Sequence, residues 1–209
     1  MADQRALIAS LLVVVAALGG PIVAGLAVLV WAAWSRTPLK ALGLGRPRSW
    51  TFTVIAGIAI GVALKLVLKG LIMPVIGAPA ENAAYSDLAG NAAALPGMFA
   101  TIVFAAGFGE ELFYRAFLFN RVRAVITESR SATTVALFGS SLLFALAHFF
   151  DQRLAGAEQA LITGLVFGTL YAFRRELWLP IVAHIAFDVT AVLLIYTRTE
   201  AAVAHAIFP

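Results

Sequence analysis

The sequence predicts an all-α membrane protein, a polytopic bundle of about six transmembrane helices. Hydrophobic residues make up 62% of its 209 residues, whereas soluble domains average about 45–50%. Charged residues make up 12%, about half of the usual share of about 25%. The apolar residues also gather in runs near the length of about 20 residues that a helix needs to cross a bilayer.

Six apolar runs are the candidate transmembrane helices. Backbone polar groups must be paired internally in lipid, so we expect each run to be helical. Pro21 lies inside the first run and is expected to kink it. The runs are Leu7–Trp34, Thr51–Pro74, Pro96–Asn120, Thr134–Phe150, Glu158–Phe173 and Trp178–Tyr196.

Basic residues alternate between the two ends of this predicted bundle. The loops after the first, third and fifth runs carry most of them, which predicts that these loops are cytoplasmic and that both termini lie on the other side. We therefore expect a multi-pass protein of the cell membrane. The majority group is Arg36, Lys40, Arg46, Arg48, Arg121, Arg123, Arg130, Arg174 and Arg175, and the minority group is Arg5, Lys69, Arg153 and Arg198.

The composition excludes several classes of function. There is no cysteine, which excludes disulfides, thiolate nucleophiles and cysteine metal sites. The net charge of +4 comes from loops between apolar runs, so it indicates membrane orientation and no nucleic-acid partner. The bilayer is the partner that the composition does predict, while the oligomeric state is not specified.

Small residues four apart predict where helices pack closely. Gly57 and Gly61 form one such pair, and Gly164 and Gly168 form another. This spacing lets two helix backbones approach each other in lipid. Lys65 and Lys69 lie toward one end of the second run and are expected to extend to the interface, and His205 is expected on the surface.

Six ionisable residues lie inside apolar runs, away from the interfaces. Each costs about 2.5–3.5 kcal/mol at the centre of a membrane helix. They are therefore expected to pair with each other, to face a wet cavity, or both. They are Glu110, Glu111, Arg115, His148, His184 and Asp188.

Helical spacing suggests partners within this set. Glu111 and Arg115 are four apart on one face, an arrangement that favours a structural ion pair. Glu110 then faces another direction, without a local cation, and is suited to accept a proton. His184 and Asp188 also share a face, so Asp188 either fixes the imidazole tautomer or joins it on a metal or a water. His148 by itself is equally well explained as an interhelical hydrogen-bonding group.

Three short motifs resemble those of the CPBP intramembrane endopeptidases, which include CAAX proteases and bacteriocin-processing (ABI) enzymes. Glu110-Glu111-Leu-Phe-Tyr-Arg115 is similar to the family's E-E-x-x-x-R motif. Phe144-Ala-Leu-Ala-His148 is similar to F-x-x-x-H, and His184-Ile-Ala-Phe-Asp188 to H-x-x-x-N or H-x-x-x-D. The resemblance covers about half of the chain, and each motif lies in its own apolar run.

The resemblance implies a hydrolase, an endopeptidase that cleaves membrane-associated peptide or protein substrates. Glu110 would activate water, and His148 and His184 would stabilise the oxyanion or bind a divalent metal such as zinc. Asp188 stands where the family often has Asn, and its additional negative charge favours a third metal ligand and hence a metalloprotease, while the metal-free mechanism stays open. Glu111 and Arg115 would complete the catalytic set.

The chain divides into three predicted parts. Residues 1–95 hold the N-terminal transmembrane helices and a polar loop, 96–196 the CPBP-like catalytic core, and 197–209 the C-terminal tail. Two other functions fit the same charges. A non-catalytic membrane scaffold or immunity protein would keep them for structure, and a small transporter would use Glu110 and Asp188 as a proton relay.

Overall fold

The structure, a computed structural model, describes residues 2–126 and 129–208, which form helices and no strand. Four stretches are long and apolar enough to cross a bilayer, at Trp50–Val75, Ala92–Val125, Ser131–Arg174 and Trp178–Tyr196. The predicted all-α, polytopic membrane bundle is thereby confirmed. The helices are α1 (Ala2–Ala16), α2 (Pro21–Trp34), α3 (Trp50–Val75), α4 (Ala92–Val125), α5 (129–152), α6 (154–174), α7 (Trp178–Tyr196) and α8 (Glu200–Ala204).

The first predicted helix, Leu7–Trp34, is wrong as a single span. The chain breaks at Gly20, whose φ of 97° few other residues adopt, and Pro21 begins α2. Residues of α1 and α2 line one groove, in which Arg5 and Trp34 lie together, so the two helices form an antiparallel hairpin. At 15 and 14 residues, each is about 22 Å long, short of the about 30 Å of a bilayer core.

The hairpin also corrects the predicted orientation of the N-terminus. Because α1 returns beside α2, Arg5 lies on the same side as Arg36, at the ends of the hairpin. The charge pattern of the sequence predicts the two residues on opposite sides. With Arg5 on the side that already holds most basic loop residues, the charge difference between the two membrane sides becomes larger. This supports the prediction that these loops are cytoplasmic.

The fourth and fifth predicted helices form a second hairpin, α5 and α6. Arg153 separates them with φ 58° and ψ −158°, outside the helical region. A Cβ at Gly164 would lie 3.1 Å from the Cβ of Ser141, and one at Gly168 would lie 2.6 Å from Leu137 Cδ1. The two arms are therefore antiparallel and in close contact, which confirms the packing predicted for this glycine pair.

The other glycine pair joins α3 to α7. A Cβ at Gly57 would lie 2.7 Å from Val182 Cγ1, and one at Gly61 would overlap the carbonyl oxygen of Ala183. Only glycine allows this approach, so the spacing again predicted a real helix contact. Ala183 directly precedes His184, and the contact therefore fixes α3 beside the candidate site.

Neither lysine of α3 extends to the interface, contrary to the prediction. Lys65 is 4% exposed and Lys69 7% exposed. Lys69 forms a 2.9 Å ion pair with Glu200 of α8. Lys65 donates a 3.0 Å hydrogen bond to Gln159 of α6. Both side chains point into the bundle because they continue the face that Gly57 and Gly61 present to α7.

The middle of α4 is a π-helix from Ile102 to Leu118. The amide of Phe119 bonds to the carbonyl of Tyr114, five residues earlier. Such helices are rare beyond one turn and are found mostly at functional sites. On its outer side α4 contacts α2, where a Cβ at Gly25 would lie 2.9 Å from the Cα of Gly109. The N-terminal hairpin is thus packed directly against the segment that carries Glu110.

Candidate active site

One cavity of about 640 Å³ is lined by four of the six predicted site residues, which come from three helices. Glu110 of α4, His148 of α5, and His184 and Asp188 of α7 all line it. Residues far apart in sequence therefore converge on a single cavity within the bundle. This convergence is the geometric condition that a joint catalytic role requires.

His184 lies at the centre of the charged groups and is 4% exposed. Its Nδ1–H donates a 2.8 Å hydrogen bond to Glu111 Oε1. On the other side of the ring, Nε2 lies 3.7 Å from Glu110 Oε2 and 3.5 Å from Asp188 Oδ2. Three carboxyl groups thus surround one imidazole, and the predicted proximity of His184 and Asp188 is observed.

Glu110 and Glu111 approach His184 from the two sides of its ring. Oε2 of Glu110 lies near Nε2, and Oε1 of Glu111 lies near Nδ1. Glu110 lines the cavity, whereas Glu111 is buried against Arg115. The two adjacent carboxyl groups therefore face different directions, as predicted, and His184 is their common neighbour.

Glu111 and Arg115 form the predicted ion pair, with Nη1 to Oε1 at 2.9 Å. Both side chains are buried, at 0% and 1% exposure. The guanidinium of Arg115 also lies 4.5 Å from the ring centroid of Phe144. Since Glu111 contacts His184 as well, the pair holds the imidazole in place from outside the cavity.

His148 is held by its own helix. Its Nδ1–H donates a 2.9 Å hydrogen bond to the carbonyl oxygen of Phe144, which leaves Nε2 available. The Phe144 ring lies 4.4 Å from the His148 ring and 6.0 Å from the His184 ring, centroid to centroid. The Phe144 ring therefore lies close to both imidazoles. It contacts His148 within α5 and His184 of α7.

Glu110 has the properties of a proton acceptor. Its Oε2 is buried and has no hydrogen-bond partner among the described residues. A buried carboxylate oxygen normally accepts at least one hydrogen bond. Glu110 also lines the cavity, so its carboxylate is suited to bind and deprotonate a small polar molecule such as water.

The side-chain arrangement does not present a metal site. Within residues 2–126 and 129–208, no group of three or more His, Asp or Glu side chains could hold a metal ion. A catalytic zinc needs about three protein ligands that converge on one point. His148, His184 and Asp188 line one cavity without converging in this way, so the predicted zinc stays a prediction.

Several cavity residues were absent from the predicted site. Lys65 is one of them. The sequence predicts it at the interface, although its position eight residues after Gly57 places it on the buried face of α3.

Tyr85 is another cavity residue that the sequence did not predict. Burial, together with the charges of Asp188 and Glu110, raises the pKa of Tyr85, which keeps its hydroxyl protonated. No motif marks this tyrosine, which lies in the loop between α3 and α4. The other polar residues that line the cavity are Asn82, Thr101, Tyr114, Asp151, Gln152, Gln159 and Thr163.

Comparison with known proteins gives a family match. Residues 92–190 match the family model described as type II CAAX prenyl endopeptidase Rce1-like. No curated protein and no solved structure shows significant similarity to the chain. The matched segment contains all three motifs and the four cavity residues named first. Residues 92–190 therefore match an Rce1-like domain, in agreement with the resemblance of the three motifs to the CPBP family.

Proposed function

We propose that the protein is an intramembrane endopeptidase that hydrolyses peptide bonds of membrane-anchored substrates in the α4–α5–α7 cavity. The observation that carries this proposal is that Glu110, His148, His184 and Asp188 share one cavity inside an apolar bundle. The match of residues 92–190 to the Rce1-like family model supports it independently. The bundle and its basic loops support placement in the cell membrane.

In this mechanism Glu110 is the general base. It takes a proton from a water molecule as the water oxygen bonds to the carbonyl carbon of the scissile peptide. The tetrahedral intermediate then collapses, the C–N bond breaks, and Glu110 returns the proton to the leaving nitrogen. The products are a new carboxyl terminus and a new amino terminus, and positioned general bases accelerate such reactions by about 10²- to 10⁴-fold.

The histidines stabilise the negative charge on the carbonyl oxygen. As an imidazolium, His184 donates through Nδ1 to Glu111 and through Nε2 to the oxyanion. Its charge is balanced by Glu110 and Asp188, at 3.7 and 3.5 Å. His148 has Nε2 free and supplies a second contact to the reacting groups. No step depends on the predicted zinc.

The lining of the cavity and the family match of residues 92–190 both support a lipid-anchored substrate class. Apolar residues of the α1–α2 turn, among them Leu18 and Pro21, line the same cavity as Glu110. They suit the lipid part of a substrate that is anchored in the bilayer. We propose prenylated peptides of the C-a-a-X type, in which the lipid is attached to a cysteine close to the C-terminus.

The decisive experiment compares Glu110→Gln with Glu81→Gln. The purified chain in lipid vesicles is given a fluorogenic farnesylated C-a-a-X peptide. Glu110→Gln removes the proton acceptor with little change in size, so hydrolysis should fall at least about 100-fold. Glu81 is exposed in the loop between α3 and α4, and Glu81→Gln should leave hydrolysis unchanged.

Retained activity in a folded Glu110→Gln protein would reject this mechanism. A wild-type protein that hydrolyses no membrane-anchored peptide would instead favour the non-catalytic scaffold. Thermal unfolding of both variants in detergent checks that any loss of activity does not arise from misfolding.

A further inference from the structure

We infer that Lys65 binds the terminal carboxylate of the substrate peptide, an inference that rests on the proposed function. Lys65 lines the same cavity as Glu110 and His184. It comes from α3, outside the segment that matches the family model, and none of the three motifs includes it. It is therefore a candidate substrate-binding residue that the motifs do not assign.

The first step of the argument is a comparison of the two lysines of α3. Lys69 is neutralised by Glu200 at 2.9 Å. In the described part of the chain, Lys65 has one polar contact, Gln159 Oε1 at 3.0 Å, and no carboxylate at ion-pair distance. The two side chains lie one turn apart and are buried to a similar degree. Of these two lysines, only Lys65 has no carboxylate at ion-pair distance among the described residues, although the charge of Asp188 in the same cavity still acts on it.

The second step concerns the donors of Lys65. An ammonium group has three N–H donors, and Gln159 accounts for one. The ring of Phe187 lies 5.0 Å from Nζ and stabilises the positive charge without accepting a conventional hydrogen bond. Burial of an unpaired charge is costly, so the arrangement favours an anion that enters from the cavity.

The third step is the distance along the cavity. Lys65 lies over Phe187, less than one turn from His184 along α7, and a turn is about 5.4 Å. Three extended peptide residues span about 10 Å. A peptide whose scissile bond lies at Glu110 and His184 can therefore extend a short C-terminal segment as far as Lys65. The terminal carboxylate is the anion that every such segment carries.

The test compares two farnesylated peptides that differ only at the C-terminus, one a free carboxylate and the other an amide. Binding is measured by fluorescence anisotropy with the full chain carrying Glu110→Gln, so that no peptide is consumed. We expect the carboxylate peptide to bind about 10- to 100-fold more tightly than the amide. Adding Lys65→Met should remove this preference and leave amide binding unchanged.

Lys40→Met is the matched control, because Lys40 is exposed in the loop between α2 and α3. It should keep the preference. Lys65→Arg should retain most of it, because arginine also binds carboxylates.

Equal binding of the two peptides before any Lys65 substitution would overturn the inference, and this result does not depend on whether Lys65→Met folds. Equal weakening of both peptides by Lys65→Met would also overturn it, since it would indicate a structural role. Hydrolysis by the protein with Glu110 intact is measured separately. Failure to hydrolyse either peptide would reject the proposed function, while the binding comparison would still decide the role of Lys65.

Discussion

His184 Nδ1 donates a 2.8 Å hydrogen bond to Glu111 Oε1, the carboxyl oxygen that also lies 2.9 Å from Arg115 Nη1. The second glutamate of the motif thus connects an interhelical contact to an ion pair within α4. Through it, Arg115 influences the orientation of the imidazole without lining the cavity. Under the proposed function, Glu111 and Arg115 are therefore expected to be positioning residues, and Glu110 is expected to meet the reacting water.

Glu111→Gln should destabilise the protein strongly. The substitution removes the counterion of Arg115, which is 1% exposed. Breaking a buried ion pair from one side costs about 3–5 kcal/mol, because the remaining charge is left unpaired. Thermal unfolding in detergent measures the loss. The double variant Glu111→Gln, Arg115→Met should recover part of this stability because it carries no unpaired charge. Unfolding of Glu111→Gln at the wild-type temperature would contradict the assignment.

Treatment with a metal chelator should leave peptide hydrolysis unchanged. This expectation rests on the donor geometry, since no group of three described acidic or histidine side chains could hold a metal ion. The measurement combines activity after chelation with elemental analysis of the purified protein and of His148→Ala. Chelator-sensitive activity that zinc restores, together with bound zinc that His148→Ala loses, would instead support His148, His184 and Asp188 as ligands.

Sequence periodicity predicted the parts of the fold that depend on regular helices. Gly57 and Gly61 mark the contact of α3 with α7, and Gly164 and Gly168 mark that of α6 with α5. In both cases the physical cause is local, because two small residues one turn apart make a groove that another backbone can enter. The contact of His184 with Asp188 followed from the same helical spacing.

The features that sequence missed depend on departures from regular helices or on tertiary contacts. A continuous apolar run concealed the reversal at Gly20, because apolar residues suit a short hairpin as well as a spanning helix. The π-helix within α4 was also missed, because nothing in its composition distinguishes i+5 from i+4 hydrogen bonding. Lys65 was assigned to the interface because its burial depends on α6 and α7, which pack against it in three dimensions.

Gly61→Val should disrupt the bundle, whereas Gly139→Val should be tolerated. A Cβ at Gly61 would overlap the Ala183 carbonyl, and α3 and α7 would have to separate. A Cβ at Gly139 of α5 meets nothing within 4 Å. Overpacking costs about 1–3 kcal/mol and occasionally more, so we expect a lower unfolding temperature for Gly61→Val alone. Equal unfolding temperatures for the two variants would contradict the described α3–α7 contact.

The α1–α2 hairpin predicts that the N-terminus lies on the same side of the membrane as the loop between α2 and α3. The chain has no cysteine, so a single introduced cysteine reports one position without background. Gln4→Cys and Lys40→Cys should react with an impermeant maleimide from the same side of sealed vesicles. Glu81→Cys should react from the other side, because α3 spans 26 residues between these loops, about 39 Å of helix.

The same labelling distinguishes the hairpin from a single spanning helix. If Leu7–Trp34 crossed the bilayer once, Gln4→Cys would react from the side of Glu81→Cys and opposite to Lys40→Cys. Such a result would also remove the α1–α2 turn from the cavity wall, since Leu18 and Pro21 line the cavity only because the chain reverses at Gly20. The proposed contact of the substrate lipid with this turn would then fail, while the positions of Glu110 and His184 would be unaffected.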